Sequence, residues 1–144
     1  MPRKWSAPGL TGRRPRLLIE DGRPVLAISD FSLFQDAGFD VAFCGGPGGD
    51  PGGCPLVRGE PCLLVAGADV VLHGLEPRLG VAAAIRRQRP ELPVVVEQRR
   101  QEDGTVEPVP AGCIPLGYPC SVAGQIDAVR RAEETARHAA QAAS

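Results

Sequence analysis

Ala68-Asp69-Val70-Val71-Leu72-His73-Gly74-Leu75 is the stretch whose reading decides the fold. An acidic start, an unbroken apolar run and a glycine exit describe a strand buried on both faces, hence a central strand of a mostly parallel sheet. In such sheets ligands collect beyond the carboxyl ends of the strands. That end carries His73 and Gly74, neither of them an evident nucleophile.

Working back from this strand, Leu17-Leu18-Ile19 is a second short apolar run, and it delivers Glu20 and Asp21 to its own carboxyl end. A helix is predicted from Pro24 to Ala37, because proline suits a first helical turn and Leu26, Phe31 and Phe34 can share one face. Gly38 then supplies its C-cap, and Phe39 to Cys44 alternates as a further strand. Residues 45–53, GGPGGDPGG, are glycine-rich, but a phosphate cradle needs a helix amino terminus directly behind it. Pro51, Gly52, Gly53 and Pro55 prevent one, so this segment reads as a flexible crossover. Cys54 to Cys62 reads as a compact turn centred on Gly59-Glu60, with the two cysteines brought near each other.

Forward of the central strand, Pro77 to Gln88 is predicted helical, with Leu79, Ala82, Ala83 and Ile85 facing inward and Pro90 and Pro93 ending it. Pro93 to Val96 is another buried strand, closing on Glu97 and Gln98. Residues 99–111 are polar and interrupted by Gly104, Pro108 and Pro110, leaving room for one helical turn at most. Gly112 to Leu116 is a short last strand, and Pro115 places it at an edge. Ser121 caps the final helix, whose inward residues are Val122, Ile126 and Val129. Beyond Arg131 the alanine-rich continuation is helix-prone with little to bury, and is expected to fray.

A chain of 144 residues is long enough for one domain with its own core. The net charge of -1 speaks against nonspecific nucleic-acid binding by the whole domain. Met1 to Arg16 is the exception: five basic residues, no acidic one and three prolines read as a disordered basic arm. Only that arm could meet nucleic acid. The absence of a long apolar run and of a charged-then-apolar start predicts a cytoplasmic protein without a membrane span. Five cysteines in that compartment are expected as reduced thiols or metal ligands.

The order and spacing of these elements, from about Arg16 to Arg131, resemble the receiver domain of bacterial response regulators. Leu17-Leu18-Ile19-Glu20-Asp21 resembles that family's first strand and acidic metal-binding pair, and Gly38-Phe39-Asp40-Val41 its second strand. Asp69 to Leu72 resembles its third strand, and Ile85-Arg86 with Pro93 to Val96 the passage into its fourth. Tyr118-Pro119 stands where the family has Lys-Pro. The resemblance implies an α/β, doubly wound, flavodoxin-like parallel sheet of five strands in the order 2-1-3-4-5. In this chain the family's second helix is expected to be replaced by the Cys/Gly-rich loop, and its fourth helix to be shortened. The basic arm, residues 1–15, precedes the receiver-like domain of 16–131, and a fraying tail of 132–144 follows.

The resemblance also implies a phosphorylation pocket, and there the chain departs from the pattern. Gly74 stands in place of the acceptor aspartate, Gln98 is the nearest match to the hydroxyl residue, and Tyr118 replaces the lysine. With Glu20 and Asp21 these residues form a degenerate pocket in which no aspartyl phosphate can form. Two carboxylates alone are weak ligands for Mg²⁺, so they are read as solvated residues and no cofactor is expected.

The function expected is that of a non-catalytic, stand-alone receiver-like module that works through a protein partner, with a homodimer left open. The alternative is a metal- or redox-responsive protein. Cys44, Cys54 and Cys62, joined by His73 or Cys120, would give four soft ligands for a metal such as zinc. An α/β enzyme is not expected, because there is no G-x-S-x-G and His73 and His138 are the only imidazoles.

Overall fold

The computed structural model describes Trp5 and residues 14–48, 51–117 and 120–143. Strands β1 (Arg16–Glu20), β2 (Asp40–Cys44), β3 (Val70–His73), β4 (Val94–Gln98) and β5 (Ile114–Gly117) form one sheet in the order β2-β1-β3-β4-β5. All four pairings are parallel. β3 lies between β1 and β4, and its four residues are all buried. This is the doubly wound architecture that the sequence implies.

Strand pleating divides the core in two. Leu18, Ala42, Val71, Val94 and Val96 face helices α2 (Leu63–Gly67) and α3 (Val81–Gln88), meeting Val65, Ala84 and Ile85. Leu17, Ile19, Val41, Val70, Leu72 and Val95 face α1 (Pro24–Asp36) and α4 (Val122–Ala142), meeting Phe34 and Val129. The sheet is thus apolar on both sides, as parallel sheets must be when helices cover both faces.

α1 ends in a Schellman motif. Gly38, at φ +105°, donates to Gln35 O at 3.0 Å, and Phe39 donates to Phe34 O at 3.1 Å. Arg14 and Arg130 donate to the carbonyls of Gln35 and Ala37, each at 2.8 Å, placing cations at the helix's negative end. At the other end of the chain Ser121 Oγ accepts from Gly124 N at 3.0 Å and starts α4. Among the described residues no helix is long and apolar enough to cross a membrane.

Four expectations need correction. The second crossover is not wholly loop: after the turn at residues 54–60, Leu63 to Gly67 coil into a five-residue helix before β3. The predicted helix 77–88 is broken, because Gly80 takes a left-handed φ of +72° between a 3₁₀ turn (Pro77–Leu79) and α3. The helix between β4 and β5 is absent rather than shortened. Asp103 Oδ1 accepts from Thr105 N at 2.9 Å and from its hydroxyl at 2.6 Å, holding a turn that competes with helix. An isolated antiparallel bridge, Arg100 to Val106, closes that turn. Lastly, α4 runs unbroken to Ala142, and Ala132 and Glu133 beyond Arg131 are buried.

Most of the basic arm lies outside the described residues, but Trp5 does not behave as part of a solvated tail. Its Nε1 donates to Leu64 O at 3.0 Å, its ring lies against Gly67, and the Arg16 guanidinium sits 5.7 Å from the ring centroid. Any side chain at position 67 would collide with the indole.

Candidate functional site

The carboxyl ends of β1, β3 and β4 open on a crevice of about 250 Å³ lined by Asp21, Arg23, Gly45, Gly74, Arg78 and Arg99. It lies at the topological switch point, where the connections from β1 and β3 leave to opposite sides. Pleating distributes its side chains between the two faces. Glu20 and His73 follow Leu18 and Val71 onto the α3 side, whereas Gly74 and Glu97 follow Leu72 and Val95 onto the α4 side.

The two members of the acidic pair consequently have separate partners. Glu20 Oε1 meets His73 Nδ1 at 2.7 Å, and both side chains are only 3 % exposed. Asp21 instead receives a two-pronged contact from Arg23: Nε to Oδ1 at 2.9 Å and a terminal nitrogen to Oδ2 at 2.8 Å. The Arg23 backbone N–H adds a third bond to Oδ1 at 2.8 Å. The same terminal nitrogen of Arg23 reaches Glu97 Oε2 at 3.5 Å. One guanidinium therefore bridges two largely buried carboxylates.

Glu97 Oε1 also accepts from Gln125 Nε2 of α4 at 3.2 Å. Burial raises the Glu97 pKa above the ordinary glutamate range, and Asp21 pushes it further, against Arg23 and Arg99. Asp30 on α1 is raised in the same way, by burial first and by Asp21 second, with Arg23 opposing. These are signs of a crowded acidic corner that Arg23, with Arg99 at Glu97, partly offsets.

Gly74 sits in the middle of it. Its N–H donates to Glu20 O at 2.7 Å, and Arg99 donates to its carbonyl at 2.9 Å. A Cβ at this position would lie 3.2 Å from Asp21 Oδ2, 3.3 Å from Glu97 Oε2 and 3.3 Å from Glu20 O. An aspartate there would bring a third carboxylate against two others.

Of the expected pocket residues, Glu20, Asp21 and Gly74 meet at this rim, with Glu20 turned to His73. Gln98 turns away, donating to Glu107 O at 2.9 Å. Tyr118 lies outside the described residues. Sequence reasoning missed Arg23, Glu97 and Gln125. The signal for Glu97 is the period of two along β4, which puts it on the face of Gly74 and Gln98 on the other. Arg23 was findable as the residue wedged between an acidic strand end and the first-turn Pro24, but Gln125 carries no such mark.

Cys44, Cys54 and Cys62 line one small cavity together with Glu20. Among the described residues no group of three or more His, Cys, Asp or Glu side chains is arranged to hold a metal ion. The zinc reading of the three cysteines and the Mg²⁺ reading of Glu20 and Asp21 thus gain no ligand set from the fold.

No family model matches the sequence, and no curated protein resembles it. Solved structures do. A response regulator receiver protein from Sinorhizobium medicae WSM419 superposes with a TM-score of 0.58 at 20 % identity, covering 85 % of this chain and 97 % of its own. A receiver domain protein from Clostridium thermocellum gives 0.61 at 13 % identity, with 85 % and 97 % covered. One from Methanospirillum hungatei JF-1 gives 0.59 at 12 % identity, with 87 % and 98 % covered. The fold is that of response regulator receiver domains.

Proposed function

We propose that this chain is a non-catalytic, receiver-like signalling module that acts by binding a protein partner, without an aspartyl phosphate. One observation carries the reading. At the end of the third strand, where a phosphoryl group would have to be accepted, Gly74 offers no side-chain oxygen, and Arg23 is already fixed across Asp21 and Glu97.

Covalent phosphoryl transfer to this position requires a carboxylate nucleophile. It also requires cations to offset the charge that builds up on the phosphoryl oxygens. Here the nucleophile is missing and the positive charge is permanent. Such a pocket cannot be switched by an aspartyl phosphate, so regulation is expected to come from the partner or from elsewhere on the surface.

Incubation with acetyl phosphate and Mg²⁺ followed by intact mass measurement tests this. The expected result is an unchanged mass under conditions that load an aspartate-bearing receiver. A species heavier by one phosphate would overturn the proposal.

A further inference from the structure

Three of the five cysteines surround a cavity of about 80 Å³ between the sheet and the loop that largely takes the place of a helix. Cys44 enters it from the end of β2, Cys54 from the start of the turn and Cys62 from its end, just before α2. All three are half-buried free thiols. Cys113 and Cys120 form no part of the wall. The turn is a closed unit, with Glu60 N donating to Pro55 O at 2.8 Å and Gly59 N to Leu56 O at 3.0 Å, and Leu56 buried beneath it. It brings the two loop sulfurs back to the same cavity as the strand-borne one.

We propose that this cavity is a thiol–disulfide site, in which Cys44 and one of the loop cysteines, Cys54 or Cys62, become joined when the protein meets a low-molecular-weight disulfide. The proposal is independent of the phosphate-free reading of the crevice. The thiolate of the loop cysteine attacks one sulfur of the small disulfide. The S–S bond breaks, and the first small thiolate departs and takes up a proton. Cys44 then attacks the protein sulfur of the mixed disulfide and displaces the second small thiol. Two protein thiols are oxidised and one small disulfide is reduced to two thiols.

The roles follow from placement. Cys44 is anchored on the sheet, its sulfur accepting from Gly46 N at 3.4 Å. Burial raises its thiol above the ordinary range, and Glu20, Cys62 and Cys54 push it further against the Gly46 amide. This suits a resolving thiol better than an attacking one. The cavity and the crevice also share a wall residue. Gly46 lies against Leu75, which follows Gly74 and lines both spaces. Tying the end of β2 to the loop would move a wall that the two share.

Glutathione disulfide is the probe. The full chain is incubated with it, unreacted thiols are alkylated under denaturing conditions, and intact and peptide masses are read. The expected product is a monomer lighter by two hydrogens, with Cys113 and Cys120 still alkylated and Cys44 linked to Cys54 or Cys62. Cys44→Ser should stop at the mixed disulfide, one glutathione heavier. Reaction of the folded wild type supplies the result even where that variant folds poorly. Five alkylatable thiols remaining, a Cys54–Cys62 bond that omits Cys44, or equal reaction at Cys113 and Cys120 would each overturn the proposal.

Discussion

The inner lengths of β1, β3 and β4 and their carboxyl-terminal rim belong to the same strands but follow different rules. Inside, Leu17, Leu18, Val70, Val71, Leu72, Val94 and Val95 are at most 1 % exposed and pack into two apolar clusters. At the strand ends the chain turns to Glu20, Asp21, His73 and Glu97, which are nearly as deeply placed but charged or titratable. The interior needs only apolar groups of about the right volume, because its driving force is non-directional. The rim needs a particular partner for each charge, because an unpaired buried charge costs far more than a mismatched methyl group. That difference explains how a receiver fold can persist with Gly74 just after its third strand. The body needs no such pairing, whereas the rim sets Glu20 against His73 and both Asp21 and Glu97 against Arg23.

Substitutions at Val71, at the Glu20–His73 pair and at Glu97 would break or sharpen this contrast. Val71→Asp attacks the interior and is expected to abolish folding. An unpaired carboxylate in a strand covered on both faces costs several kcal/mol, against a total stability of about 5–15 kcal/mol. Soluble variant protein with a cooperative urea transition would remove β3 from its central role.

His73→Ala attacks the rim and leaves Glu20 buried without its 2.7 Å partner. A loss of about 3–5 kcal/mol is expected in chemical denaturation. The double replacement Glu20→Leu with His73→Leu should recover most of it, since replacing both partners of a buried polar pair by apolar side chains of similar shape is often nearly neutral. If the double variant is as unstable as the single one, this pair contributes more than the mutual satisfaction of two buried polar groups.

The smallest effect is a pH slope. The Glu97 pKa is raised by burial and then by Asp21, so the folded protein binds its proton more tightly than the unfolded chain does. Its contribution is therefore fully present below the ordinary glutamate range and is lost as pH rises through the higher folded value. Glu97→Gln should flatten that decline in melting temperature. An unchanged slope in the variant would show that another group, such as Asp30, dominates the acidic corner.

The covalent sequence was enough to mark the strands and the apolar half of this molecule, and the resemblance to receiver domains supplied the strand order. Runs such as Val70-Val71-Leu72 and Val94-Val95-Val96 can only be buried, and their alternation with helical segments admits few topologies. The glycine at the end of the third strand was equally legible, since Gly74 follows β3 in the chain itself. What only the tertiary structure decided is who answers whom across the rim. Glu20 and Asp21 are adjacent in sequence yet separate onto different partners, because pleating sends successive side chains to opposite faces. Gln125 reaches Glu97 from a helix 28 positions away, and Trp5 reaches Leu64 from 59 positions away. Hydrogen bonds and ion pairs act over a few ångströms in space, while sequence patterns record only neighbours along the chain and the faces they share.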